Sequence, residues 1–174
     1  MKSLEEYVRN INDFPKKGII YRDVTTVLSD ADGLKLAIDS MQKLLENTEF
    51  DVIVAPESRG FIFGMPLAYN MNKAFVPVRK KGKLPAETIS EDYDLEYGSA
   101  TLEIHKDAIR PGQKVVIIDD LVATGGTLQA IIKLVERLGG QVVKICSLIE
   151  LVDLNARELL KGYEIGSCIE FKGE

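Results

Sequence analysis

Residues 114–127 read Lys114-Val-Val-Ile-Ile-Asp119-Asp120-Leu-Val-Ala123-Thr124-Gly125-Gly126-Thr127, and the fold can be read outward from them. Val115 to Ile118, four β-branched residues in a row, describe a strand covered on both faces. Two acids follow where that strand is expected to end. Ala123 to Thr127 then form a small, hydroxyl-rich turn into a helical run from Leu128 to Leu138. A glycine-rich turn between strand and helix directs free backbone N–H groups and the positive end of the helix dipole at one point, an arrangement suited to phosphate. Gly125 and Gly126 let an anion approach the backbone, and the hydroxyls of Thr124 and Thr127 add donors. No Gly-Lys-Ser/Thr closes the turn, so it is not a Walker loop. A bare Gly-Gly turn is more simply a connection, with Thr124 as helix cap and the acids as turn formers. Strand, acid pair and hydroxyl-rich turn in this order are more specific than that.

The chain of 174 residues suits a single domain, residues 1–174, with room for a real core. Its 45% hydrophobic and 28% charged content is that of an ordinary soluble globular protein. No apolar stretch is long enough to span a bilayer, and Met1 to Glu6 contain no signal-peptide core, so no membrane is expected. Cys146 and Cys168 lie in apolar, strand-like runs without a C-x-x-C motif and read as buried free thiols in a reducing cytoplasmic compartment. A net charge of −5 argues against nucleic acid as a partner. Within that acidic chain, Arg79, Lys80, Lys81 and Lys83 concentrate four cations, and Arg22 and Arg59 each follow an apolar or turn segment. The only histidine, His105, alternates with Leu102 and Ile104 and is expected to face solvent. With no second histidine and no thiol cluster, a transition-metal site has no support.

Along the chain, residues 3–11 have the spacing of a short amphipathic helix, and Phe14 to Asp23 are extended because Pro15 and Gly18 break any helix. Helices are expected over Asp30 to Asn47, Gly60 to Met71 and Leu154 to Leu160. Strands are expected at Asp51 to Ala55, Ala74 to Val78, Leu102 to Ile104, Val142 to Ile149 and Cys168 to Phe171. Residues 80–100 carry glycine, proline, serine and charge with little periodicity, and read as a long loop with short β pieces. Strands alternating with helices give an α/β fold with a mainly parallel central sheet flanked by helices. Ligands in such sheets lie at the carboxyl ends of the strands, where the Gly125 turn stands.

The strand, acid pair and turn of 114–127 resemble the signature of the type I phosphoribosyltransferases, which bind phosphoribosyl pyrophosphate (PRPP). Three further segments narrow the resemblance: Phe14-Pro-x-x-Gly18-Ile19-x-x-Arg22-Asp23, Glu57-Ser58-Arg59-Gly60-Phe61, and Arg79-Lys80-x-Gly82-Lys83-Leu84-Pro85 with Leu95-Glu96-Tyr97-Gly98. Together they are similar to the adenine phosphoribosyltransferases over about residues 4–171. The resemblance implies a type I phosphoribosyltransferase fold, with an N-terminal base-binding hood in residues 1–30 and a flexible lid in residues 80–100. It also implies purine salvage, in which adenine and PRPP give AMP and pyrophosphate with Mg²⁺, in a homodimer, although no interface stripe is evident in the sequence.

Carried onto this chain, the resemblance puts the 5′-phosphate on Ala123, Thr124, Gly125, Gly126 and Thr127, and the ribose beside Asp119 and Asp120. Neighbouring side chains of a regular strand point to opposite faces, so the two acids should have unequal roles. One contacts the sugar while the other holds the turn or a Mg²⁺-bound water, the metal being carried by PRPP with no direct protein ligand. Ser58, Arg59, Arg79 and Lys83 match the pyrophosphate group. Ile20 offers backbone contacts to adenine, Tyr21 stacks on or covers the ring, where many relatives have Phe, and Arg22 closes that side. Glu96 is the proton-transfer residue. A transferase for 6-oxopurines would use the same sugar-phosphate turn, and the Phe14 to Asp23 segment favours adenine over it. A PRPP-sensing regulator on this fold would need a DNA-binding module, for which the N-terminal arm is too short and too weakly basic.

Overall fold

The computed structural model describes residues 2–95 and 98–173. Two short strands, β1 (Arg9–Asn12) and β2 (Ile20–Asp23), pair antiparallel and stand apart from the main sheet. Two helices follow, α1 (Thr25–Leu28) and α2 (Ala31–Leu45). Asp30 caps α2 by accepting the N–H groups of Asp32 and Gly33 at 2.9 and 3.1 Å, worth about 1 kcal/mol. Next come β3 (Val52–Pro56), α3 (Arg59–Asn70), β4 (Ala74–Lys80), β5 (Thr88–Leu95) and β6 (Gly98–His105). The chain then runs through β7 (Lys114–Val122), α4 (Gly126–Arg137), β8 (Gln141–Leu151), α5 (Ala156–Leu159) and β9 (Ile165–Phe171).

The large sheet has the order β5-β6-β4-β3-β7-β8-β9. From β4 to β9 neighbouring strands are parallel, whereas β6 runs antiparallel to both β4 and β5. Residue parity divides the core between the two faces. Ile53, Ala55, Val116 and Ile118 join Met41, Leu45, Phe63 and Leu67 under α2 and α3. Val52, Val54, Val115 and Ile117 join Leu128, Ile131, Leu134 and Val135 under α4. The chain leaves β3 in one direction to β4 and later returns to its other side as β7. The crevice beyond the carboxyl ends of β3 and β7 is therefore the topological switch point, where open α/β sheets place their ligands.

Several sequence expectations change. Residues 3–11 are not a helix: a single 3-10 turn, Leu4–Tyr7, gives way to β1, because pairing with β2 satisfies that backbone instead. Residues 80–100 are not mostly loop, since β5 and β6 pair through eight registered residues from Thr88↔His105 to Leu95↔Gly98. The signature strand does not end before its acids. It continues to Val122, with Asp119, Leu121 and Val122 opposite Ser147, Ile149 and Glu150. The helix expected over 154–160 is split into a 3-10 turn, Val152–Leu154, and α5, parted by Asn155 at φ 55°. His105 is half-buried rather than solvent-facing, and its Nε2 accepts the Ala86 N–H at 3.3 Å. Cys146 is buried and Cys168 half-buried, both as free thiols.

Candidate functional site

The turn after β7 forms one half of the crevice. Asp119 and residues 121–128 line a hollow of about 320 Å³, with Thr124 at its surface. Gly125 adopts φ 91°, a left-handed conformation that an L side chain rarely takes, and it leads directly into the first turn of α4. The first N–H groups of α4 have no partner within the helix, so they face this hollow with the positive end of the helix dipole. An added Cβ at Gly125 would not enter the hollow. It would lie 3.3 Å from Ala156 Cβ and Leu160 Cδ1, so the back of the turn rests directly on α5.

Asp119, Leu121 and Thr127 also border a second space of about 670 Å³, completed by Pro56, Glu57, Ser58, Arg59, Lys80, Tyr93, Leu102 and Asp120. Both acids border this space and their carboxyls interact, but their surroundings differ. Asp120 is 4% exposed and turns toward α3, where its carboxylate meets Arg59 Nε at 2.8 Å. Asp119 turns toward the hollow, and its Oδ1 accepts the Asp120 N–H at 2.8 Å. Burial and the neighbouring Asp120 charge hold the Asp119 carboxyl well above the usual carboxylate range. Burial alone would discourage the Arg59 charge, but Asp120 and the Tyr21 hydroxyl together raise its pKa.

Arg59 is the first residue of α3, carried there by the Glu57-Ser58 turn after β3, whose peptide bond is cis. Gly60 lets α3 start against the sheet: an added Cβ would lie 2.8 Å from Pro56 Cδ and 3.2 Å from the Ile118 carbonyl. Arg59 Nη1 donates to Tyr21 Oη at 2.6 Å, linking β2 to the turn after β3. Arg79 Nε donates to Glu57 Oε1 at 3.2 Å, and the Lys80 N–H reaches the same oxygen at 2.7 Å. Burial works against the Glu57 charge, but these donors hold its pKa below the usual value.

The crevice thus brings together Ser58, Arg59, Asp119, Asp120 and the Ala123–Thr127 turn. Arg79 and Lys83 line neither space; Arg79 Nη1 donates to the Lys83 carbonyl at 3.4 Å. In the N-terminal hairpin, Ile20 and Tyr21 are half-buried, and the Tyr21 ring meets Phe14 edge-on at 5.3 Å. Arg22 is 8% exposed; it lies 4.0 Å over the Phe171 ring and donates to Asn10 Oδ1 at 2.8 Å. Glu96 lies outside the described residues. Glu57, Lys80 and Tyr93 line the space without having been selected from the sequence. Lys80 belongs to the cation cluster, and as Arg79's neighbour on β4 it falls on the opposite face of the strand.

A fold whose switch point carries an acid pair, a glycine-rich turn at a helix start and an arginine on the adjacent turn is that of a phosphoribosyl-binding transferase. The family described as "Phosphoribosyl transferase domain" matches residues 23–172. Adenine phosphoribosyltransferase of Lachnoclostridium phytofermentans is 67% identical over the whole of both chains. The crystal structure of adenine phosphoribosyltransferase from Thermoanaerobacter pseudethanolicus, 57% identical, superposes with a TM-score of 0.93 over 97% of this chain and 100% of that one. The Saccharomyces cerevisiae adenine phosphoribosyltransferase, solved with adenine and an imino-altritol bisphosphate, is 36% identical, with a TM-score of 0.88 over 95% of this chain and 96% of that one. The chain belongs to the phosphoribosyltransferase family and, within it, to the adenine phosphoribosyltransferases.

Proposed function

We propose that this chain transfers the 5-phosphoribosyl group of PRPP to adenine, giving AMP and pyrophosphate in purine salvage. The observation that carries the reading is the single crevice joining the Gly125 turn, the Asp119–Asp120 pair and Arg59. Family membership and the adenine bound in the yeast relative support the choice of base. In the reaction the bond from the anomeric carbon to the pyrophosphate oxygen breaks and a bond to the adenine nitrogen forms. The base loses one proton, and the sugar passes through a state with oxocarbenium character.

The Ala123–Thr127 turn holds the 5′-phosphate through backbone N–H groups and the two threonine hydroxyls. Asp119, turned toward the hollow, accepts from the ribose hydroxyls, and Asp120 positions Arg59. Ser58 and Arg59 receive the pyrophosphate, and Arg79 and Lys83 add positive charge from beyond the crevice lining, which stabilises the leaving group. The hood, residues 1–30, holds adenine through the Ile20 backbone and the Tyr21 ring. Arg22 shapes that side of the hood from behind, through Phe171 and Asn10. The lid, residues 80–100, carries Glu96 to the base and keeps water from the cationic sugar.

Mg²⁺ arrives with PRPP. Among the described residues no group of three or more acids, histidines or thiols is placed to hold a metal, so phosphate oxygens and water would supply most of its ligands, with Asp119 or Asp120 reaching it through water. The ion would neutralise charge developing on the leaving pyrophosphate. No helix among the described residues is long and apolar enough to cross a membrane. The free thiols of Cys146 and Cys168 support a reducing, cytoplasmic location. Ile62, Met65 and Tyr69, all exposed along one side of α3, support a homodimer.

With Mg²⁺ and PRPP, adenine should yield AMP, whereas hypoxanthine and guanine should yield far less product. The check is pyrophosphate release with the three bases in parallel. Equal rates on the 6-oxopurines would overturn the adenine reading and leave the fold untouched.

A further inference from the structure

The carboxylate of Glu150 is buried, with 2% of its side chain exposed. Arg157 grips both its oxygens, Nε to Oε1 at 2.8 Å and Nη2 to Oε2 at 2.7 Å. Ser167 Oγ donates to Oε2 at 3.0 Å, and Arg157 Nη1 reaches the Ile165 carbonyl at 3.2 Å. The cluster therefore ties three elements together: the end of β8, the short α5, and β9. None of these residues lines the crevice. Burying the Glu150 carboxylate costs desolvation that offsets much of its attraction to the half-exposed Arg157, while the fixed two-pronged geometry is good at holding register.

What this pair holds in place is the support of the phosphate turn. Glu150 stands in register with Val122, the last strand residue before the turn. Arg157 follows Ala156, which, with Leu160, forms the surface 3.3 Å from the Cβ position of Gly125. A helix of four residues has little stability of its own, so its place depends on such attachments. If α5 moved away, Gly125 would lose the wall that keeps its left-handed conformation, and the N–H groups around it would lose their common aim.

We infer that Glu150 and Arg157 are positioning residues for the 5′-phosphate: their bridge fixes α5 behind Gly125 and so holds the phosphate turn in its binding geometry. This rests on the reading of that turn as the 5′-phosphate site. The test measures binding of two probes to the full chain, ribose 5-phosphate for the turn and magnesium pyrophosphate for the Ser58–Arg59 side. Glu150→Gln keeps size and the Ser167 contact but removes the charge. It should weaken ribose 5-phosphate about tenfold, the scale of a charge-assisted hydrogen bond, and change pyrophosphate by less than about twofold. Arg157→Lys, which keeps the charge but not the two-pronged grip, should fall between wild type and Arg157→Ala. A merely structural bridge would lower the melting temperature and weaken both probes together, or neither, and either result overturns the inference. If Glu150→Gln does not fold, the half-exposed Arg157→Lys carries the same comparison. Failure of the wild-type chain to bind ribose 5-phosphate would instead refute the assignment of the turn.

Discussion

At the scale of single residues, Gly125 needs to be a glycine for a reason that lies behind the turn as well as in front of it. The sequence marks it as a glycine an anion must approach. In the structure its φ of 91° and the wall formed by Ala156 and Leu160 are what exclude a side chain. Gly125→Val should therefore twist the turn instead of filling the phosphate space. Left-handed strain in a β-branched residue costs on the order of 1–3 kcal/mol, so PRPP and AMP affinity should fall about tenfold or more. Titration calorimetry on a variant shown to be folded by circular dichroism is the check, and unchanged affinity would move the phosphate site elsewhere. Cys168 gives a second residue-scale expectation. Burial pushes its thiol up to about 12, so at pH 8 it should react with iodoacetamide far more slowly than a free model thiol. The unequal surroundings of Asp119 and Asp120 were legible because alternation along a strand is local. The Arg59–Tyr21 bond was not, since it joins residues 38 positions apart.

At the scale of elements, the β5–β6 hairpin is the part least visible in the sequence. Its inward face carries charge as well as apolar groups. Glu91, half-buried on β5, meets Lys133 Nζ at 3.6 Å and Arg137 Nη1 at 3.2 Å on α4. Arg137 Nη1 also donates to the Ser90 carbonyl at 2.6 Å. An acid at an inward position breaks the alternation by which strands are recognised, so the segment reads as loop. The buried parallel strands, β3, β7 and β8, were legible because both faces demand apolar residues. Glu96 follows the last residue of β5, and the proposed proton transfer predicts that Glu96→Gln lowers kcat by one to two orders of magnitude, roughly the lower part of the acid–base range. The assay is single-turnover AMP formation; an unchanged rate where chemistry is limiting would leave Glu96 an ordinary acid. The exposed turn between β4 and β5 carries Lys81 and Lys83. Trypsin should cut there, and PRPP with Mg²⁺ should slow the cut by ordering the segment.

At the scale of the molecule, α3 presents one side to the sheet and another to solvent. Tyr69 is 86% exposed and Met65 51%, unusual values for large apolar side chains arrayed with Ile62 at helical spacing. The sequence concealed this stripe because α3 reads as apolar nearly all round, and only the packed face separates core from surface. For the proposed homodimer, Met65→Glu with Tyr69→Asp should yield monomer in analytical ultracentrifugation where the unaltered chain sediments as a dimer, while an unchanged sedimentation coefficient would place the interface elsewhere. The stacking of Arg22 on Phe171 has a consequence for anyone handling the protein. The final strand and the segment proposed to cradle adenine meet at Arg22 and Phe171, 149 positions apart in sequence, so an alteration near one end of the chain is felt near the other. Alterations placed after Lys172 leave that fastening intact, whereas a deletion reaching Phe171 frees the guanidinium of Arg22 from its aromatic seat. A carboxy-terminal truncation series would thus be read out at the opposite end of the polypeptide, as a progressive loss of adenine affinity that begins at Phe171.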